Sequence, residues 1–362
     1  MGGIFIMMSN IPHIMFFAQK TFTVESVTSG HPDKVCDQIS DAILDECLKQ
    51  DSQSRVAVEV FGSHGTLVIG GEVTTRAVVD YPKIARDLYK SIGYEDELEI
   101  INRVVQQSPD IARGVDTGGA GDQGMMYGYA TSETSEFLPR PVVLAHQLAR
   151  KLEILRREDS RFKWLGPDGK TQITCRNGHI DTVLVSCQHN PDINNEAITS
   201  LVSNHIIAPV IGDTSGVKIL VNPSGLFTIG GFKADAGLTG RKIMVDTYCG
   251  LIPHGGGCFS GKDSTKVDRS GAYMARYVAK QIVARGIADE CLVSVAYAIG
   301  KAEPLMVEAH DGRGNDLSGY AQNNFDFRPL AIIEQLGLRD PIFLKTASYG
   351  HFGRVEFSWE KI

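Results

Sequence analysis

Apolar residues four apart open the readable part of the chain. Val35, Ile39, Ile43 and Cys47 fall on one face of a helix that the spacing predicts over Pro32–Gln50. Asp33, Asp37, Asp41 and Asp45 share the same spacing on another face. For Asp37, Asp41 and Asp45 that stripe reads as a solvated surface. Asp33 differs, because it lies in the first turn beside Gly30, His31 and Lys34. Runs rich in β-branched residues predict a strand before the helix, Thr21–Val27, and two after it, Arg55–Phe61 and Leu67–Thr74, with a turn at His64–Gly65. A helix over Tyr81–Ile92 and a strand over Leu98–Val105 complete one unit.

The same order then recurs. A strand over Met125–Thr131 and a helix over Pro141–Arg157 precede a hairpin of Thr171–Arg176 and Ile180–Gln188. Asn177–Gly178 supplies its turn, since both central positions need positive φ. A helix over Asn194–Ile207 and a strand over Val217–Val221 follow. The third unit is expected to run as strand Ile243–Tyr248, helix Lys266–Arg285, strands Cys291–Ile299 and Leu305–His310, helix Leu330–Leu336 and a short last strand. Three β-α-β-β-α-β units make an α+β protein, with bounds expected near 21–114, 115–232 and 233–362. Ser29-Gly30-His31-Pro32-Asp33-Lys34-Val35 and Ser260-Gly261-Lys262-Asp263-Ser264-Thr265-Lys266-Val267 are both Ser-Gly turns that lead into a helix.

Composition narrows the possibilities. A chain of 362 residues is long enough for more than one core. Its 43% hydrophobic and 22% charged residues are those of a folded soluble protein. A net charge of −7 argues against nucleic-acid binding by bulk charge, so a polyanion needs a local cluster of cations. Seven cysteines without a C-x-x-C pair suit a reducing cytoplasm and neither a disulfide framework nor a zinc site. The apolar segment Met1–Ala18 lacks a basic start, is broken by Pro12 and His13, and falls short of a membrane span; it reads as a loosely ordered extension.

Two glycine loops bear on chemistry. Gly119-Ala120-Gly121-Asp122-Gln123-Gly124 matches a dinucleotide fingerprint in spelling only, because loop precedes it and an aromatic strand follows. It leaves a tight turn presenting Asp122. Gly255 to Asp263 approaches a P-loop, but Asp263 stands where a Mg²⁺-binding hydroxyl belongs. Such a loop still offers N–H groups to an anion. Arg241, Lys242, Lys262 and Lys266 flank it, which suggests a polyphosphate site. One charge pair at ~4 Å is worth about 4 kcal/mol at an effective dielectric of ~20, so several outweigh the overall negative charge. Asp33 and Asp268 then suit Mg²⁺, which takes one or two carboxylates plus phosphates. His31 is a candidate because it sits at a helix start beside Asp33; His189 and His254 read as structural.

These motifs resemble those of the S-adenosylmethionine synthetases. Gly30-His31-Pro32-Asp33-Lys34, Gly119 to Gly124, Gly237-Leu238-Thr239-Gly240-Arg241-Lys242 and Gly255 to Asp263 carry the likeness. Gly70-Gly71-Glu72, Gln107-Ser108-Pro109-Asp110, Pro167-Asp168-Gly169-Lys170, Lys266 to Ser270 and Tyr349 to Arg354 extend it from about Phe22 to the end. The resemblance implies three similar domains about a pseudo-threefold axis, in a homodimer or homotetramer with active sites between subunits. It implies ATP and L-methionine as substrates, two Mg²⁺ per site and K⁺. His31, Lys170, Arg241, Lys242, Lys262 and Lys266 would act on the triphosphate. Asp168, Phe227, Asp235 and Cys258 would join them in binding ATP. Glu72, Gln107, Asp122, Asp235 and Lys266 would lie about methionine. Asp33 and Asp268 would hold Mg²⁺, and Glu59 would hold K⁺. Departures from the family pattern are Leu226 for a common Arg, Cys258 for Ala, and shortened stretches at Tyr94–Gln107 and Val115–Gly119 beside the family's mobile gate. A phosphotransferase cleaving at Pγ, a non-catalytic nucleotide-binding subunit and a paralogue using a different thioether or nucleotide are the competing readings.

Overall fold

The computed structural model describes residues 21–106 and 118–362. Helix α1, Pro32–Gln50, forms where the repeat places it. His31 caps it in an extended conformation and Pro32 occupies its first turn, where a missing N–H costs nothing. Val35, Ile39, Ile43 and Cys47 are fully buried. They lie in the core with Val56, Val58 and Val60 of β2, Arg55–Ser63.

In the first sheet, β2 pairs with β3, Thr66–Thr74, which pairs in parallel with β4, Glu99–Val105. The crossover between β3 and β4 carries α2, Tyr81–Ile92. The second sheet runs β1, Thr21–Val27, then β6, Leu165–Arg176, then β7, His179–His189, then β8, Lys218–Val221. Helix α3, Arg140–Glu158, covers it, and α4, Asn195–Val202, precedes β8. The third sheet orders β11, Met306–Asp311, then β10, Glu290–Tyr297, then β5, Gly124–Thr131.

The strand order interlocks the three units. β1 precedes α1 in the chain but pairs with β6 of the second sheet. β5 leads the second unit but pairs with β10 of the third sheet. The two-residue β9, Gly237–Leu238, leads the third unit and pairs with β2 of the first. Each unit thus lends its first strand to the next sheet in a closed cycle, which is the three-domain α+β architecture expected of this chain.

Several expectations are corrected. Ile243–Tyr248 is not a strand; a short helix runs Ile243–Asp246, after α5, Ala208–Ile211, and is named α6. The edge of β2 that this strand would have occupied is taken by β9 and by a bridge between Ala57 and Lys262. Predicted helix Asn194–Ile207 is α4 followed by a π-turn, Ser203–Ile207. Helix α7 spans Val267–Ala284, and α8, Ser318–Asn324, was not anticipated before α9, Pro329–Gln335. No final strand follows among the described residues, where a 3-10 turn occupies Ser358–Glu360.

The acidic stripe of α1 is the largest correction. Asp37 and Asp41 have no exposed surface and Asp45 has 6%. Asp37 Oδ1 accepts the N–H of Gly240 at 2.8 Å. Asp41 accepts the N–H of Gly261 at 2.8 Å and a bidentate pair from Arg269 at 2.7 and 2.8 Å. Asp45 accepts the N–H groups of Phe343 and Leu344, each at 2.9 Å. Buried carboxylates persist only when paired or hydrogen-bonded, and here the partners are backbone N–H groups of arriving loops, Arg269 of a later helix and, for Asp37, Lys34 of α1 itself.

Candidate active site

One cluster grows from the start of α1. The Nδ1 of His31 accepts the N–H of Asp33 at 3.2 Å. A backbone N–H can only donate, so the imidazole carries its proton on Nε2 and keeps a donor free there. Burial, then the charges of Lys242 and Lys170, push the His31 pKa down to about 3. Asp33 Oδ1 accepts the N–H of Leu238 at 3.0 Å, and Lys242 Nζ donates to Oδ2 at 2.5 Å. Burial alone would raise this carboxyl, but Lys242 and Leu238 hold it below its ordinary value. The Arg241 Nε lies 3.5 Å from Asp33 with half its side chain exposed.

Strand β6 brings the other members. It begins at Leu165, earlier than expected, so Asp168 and Lys170 ride on a strand and not on a loop. Gly30 lets this strand approach, since a Cβ there would lie 2.3 Å from the Pro167 carbonyl. Tyr94 donates to the Gly30 carbonyl at 2.5 Å and stacks on Tyr89, which stacks on Phe232. Asp168 Oδ2 accepts the N–H of Gly231 at 2.9 Å. Burial lifts its pKa to about 6, and exposed Asp235 adds to the rise. Lys170 Nζ stands 4.0 Å from Glu25. Phe227 donates its N–H to His189 Nε2 at 3.1 Å, so His189 is structural.

The second cluster surrounds the loop before α7. Lys262 Nζ donates to Asp268 Oδ2 at 2.6 Å. Burial raises the Asp268 carboxyl, and Asp122 beside it raises it further. Cys258 is pushed up to about 11 by burial, so it stays a thiol. His254 Nδ1 accepts the N–H of Gly256 at 2.8 Å and shapes the loop. Lys266 donates to Asp263, whose carboxylate also accepts the N–H groups of Val56 at 2.7 Å and Thr265 at 2.9 Å. Asp263 therefore replaces the P-loop hydroxyl with a buried organiser, a role its sequence position alone did not reveal.

The two clusters meet the same strand at different points. Leu238 pairs with Phe61 and Lys262 with Ala57, four residues apart on β2. At a strand rise near 3.3 Å that is about 13 Å. Glu59 lies midway and is exposed, and Glu72 of β3 pairs with Ala57. Gln107 and the residues from 108 to 117 fall outside the described residues.

One pH effect follows from His31. Its folded pKa lies below the ordinary 6.5, so the unfolded chain takes the proton first as pH falls. Stability is then lost between pH 6.5 and 3 at this residue. His31→Asn is expected to gain about 2 kcal/mol on wild type between pH 7 and pH 5. Paired urea melts at the two pH values measure this; an unchanged difference would contradict the neutral imidazole.

Cyclically interlocked α+β units, with cations and carboxylates gathered at glycine turns, define the class: a three-domain α+β chain. Three family models match it in order: the S-adenosylmethionine synthetase N-terminal domain over residues 19–109, central domain over 117–227 and C-terminal domain over 229–361. The S-adenosylmethionine synthase of Sorangium cellulosum (strain So ce56) is 52% identical, covering 94% of this chain and 87% of that protein. Those of Mesoplasma florum and Pseudothermotoga lettingae are 49% and 50% identical, each across 95% of this chain. The chain belongs to the S-adenosylmethionine synthetase family.

Proposed function

We infer that the chain is a methionine adenosyltransferase that makes S-adenosylmethionine from ATP and L-methionine. The methionine sulfur attacks C5′ of ATP, the whole triphosphate leaves, and its hydrolysis gives phosphate and pyrophosphate. The observation that carries this reading is the convergence on one helix start of Arg241, Lys242, Lys170 and a neutral His31 with a free Nε2 donor. A thioether has no proton to lose, so this chemistry needs no general base. It needs fixed positive charge where the leaving oxygen gains negative charge.

The residues divide the work. His31 Nε2 donates to the departing oxygen, and Lys170, Arg241 and Lys242 hold the phosphates. Asp168, Phe227 and Asp235 shape the nucleoside pocket with Cys258. Lys262 and Lys266 complete the phosphate site from the second cluster. Glu72, Gln107 and Asp122 line the methionine side, with Asp235 and Lys266 at its border. Asp33 and Asp268 would hold two Mg²⁺, and Glu59 a K⁺. These carboxylates fit such ions. Among the described residues no three His, Cys, Asp or Glu side chains converge, so substrate phosphate oxygens and water would complete each shell. When bound, these cations supply further charge against the triphosphate.

The two clusters, about 13 Å apart on β2, would complete one another across a homodimer or homotetramer interface. The exposed face with Glu59 and Phe61, 42% exposed, suits a second copy. Seven free cysteines suit the cytoplasm. No described helix is long and apolar enough to cross a membrane.

Mass spectrometry of a reaction with ATP, Mg²⁺ and K⁺ tests the reading. The sulfonium product and ATP consumption should both require methionine; ATP turnover without methionine would instead indicate cleavage at Pγ. Gly257→Ala offers a second check, since a Cβ there would lie 2.0 Å from Asp268 Oδ1. Displacing that carboxylate should raise the Mg²⁺ concentration for half-maximal rate roughly tenfold or more. An unchanged Mg²⁺ titration would remove Asp268 from metal binding.

A further inference from the structure

We propose that Asp37 is a positioning residue for Arg241 and Lys242, acting through the backbone N–H of Gly240. The inference rests on the functional reading above, but its observations are separate. Helix α1 holds three consecutive residues of the turn before these cations. Leu238 donates its N–H to Asp33 at 3.0 Å. Thr239 Oγ1 lies 2.7 Å from Ser40 Oγ. Gly240 donates its N–H to Asp37 at 2.8 Å.

Gly240 is also where the turn before Arg241 touches the loop of the second cluster. Its φ is +81°, and a Cβ there would lie 2.4 Å from the Cβ of Cys258 in the loop that leads to Lys262. The left-handed conformation and the close approach both demand glycine. Packing does not set the Arg241 side chain, which is half exposed and 3.5 Å from its partner. Its place is set by the backbone, and Asp37 anchors that backbone one residue upstream.

The second oxygen of Asp37 explains why a carboxylate stands here. It lies 2.9 Å from the buried Lys34 Nζ, which also donates to Asp246 at 2.5 Å. Asp246 ends α6, which follows Lys242 directly. The segment carrying both cations is therefore pinned to α1 at each end, by Asp37 at Gly240 and by Lys34 at Asp246. Lys34 faces two carboxylates, so losing Asp37 still leaves it a partner in Asp246.

The test uses the full chain with Asp37→Ala, Asp37→Asn and the control Asp45→Asn. Binding of inorganic tripolyphosphate with Mg²⁺ is measured by calorimetry, beside kcat and the KM for methionine. Asp37→Ala should weaken tripolyphosphate binding and lower kcat about tenfold, the scale of one hydrogen bond that places charged groups. The methionine KM should stay within about twofold, because that pocket draws on other residues. Asp37→Asn should recover most of the loss, since its amide oxygen can accept from Gly240. Asp45→Asn should lower the melting temperature and leave tripolyphosphate binding unchanged, as Asp45 touches neither loop. Should Asp37→Ala not fold, Asp37→Ser, too short to reach Gly240, carries the same expectation. Wild-type affinity in the Ala or Ser variant, equal loss in the Asn variant, or the same loss in Asp45→Asn would overturn the proposal. A wild-type protein that binds tripolyphosphate but makes no S-adenosylmethionine would sink the functional reading and leave this one standing.

Discussion

His31→Asn is expected to lower kcat by roughly 10²–10³-fold while the protein stays folded, the cost of removing one donor from a developing oxyanion. The substitution separates two roles. His31 caps α1 by accepting the N–H of Asp33 through Nδ1. Asparagine caps helices at least as well, so the helix and Asp33 should keep their places. What vanishes is the Nε2–H on the opposite side of the ring. Stopped assays of S-adenosylmethionine formation, beside a thermal melt, distinguish the outcomes. Full synthesis in a normally melting variant would remove His31 from the reaction.

Asp41→Ala should cost the fold about 3–5 kcal/mol, the penalty for stranding one member of a buried ion pair. Neither Asp41 nor Arg269 has exposed side-chain surface. Arg269 also lies over the Phe343 ring at 4.2 Å and donates to Thr346 at 3.0 Å, so it cannot swing out to water. A loss of this size is a large part of the 5–15 kcal/mol that holds a typical protein. The double variant Asp41→Leu with Arg269→Met should recover part of it, because no buried charge is left although the Gly261 N–H loses its acceptor. A double-mutant cycle by urea denaturation reads the coupling. If the single variant melts like wild type, the pair does not hold α1 to α7.

How much of this was legible in the sequence depended on distance along the chain. The apolar face of α1 and the Asn177–Gly178 turn are local patterns, and both form where their spacing puts them, the turn with positive φ at both residues. The acidic stripe shares the helical period but takes its partners from Gly240, Gly261 and Phe343, some two to three hundred residues away. Nothing in four spaced aspartates says whether water or a backbone N–H will meet them. The run Ile243–Tyr248 has the composition of a strand, yet the sheet edge it needs is already filled by Gly237–Leu238 and Lys262. Tertiary competition overrides propensity there.

The site follows the same rule. His31, Asp33, Arg241 and Lys242 were recognisable from glycine turns beside charges, and the fold brings them together. Lys262 and Asp268, read from the sequence as a phosphate cation and a metal ligand, pair with each other in the structure. Lys266 instead faces the buried Asp263, a partner that only the turn geometry discloses. The cyclic strand exchange was not visible either, because pairing of β1 with β6 joins segments about 150 residues apart. That exchange nonetheless delivers Lys170 beside His31.

The most direct test of the account is complementation between two inactive variants, His31→Asn and Lys262→Ala, co-expressed with different tags. If each site joins His31 of one subunit to Lys262 of another, mixed dimers carry one intact site. About a quarter of wild-type synthesis should return in a random mixture of a two-fold symmetric dimer. Purified mixed dimers that remain as inactive as either parent would contradict a site shared between subunits.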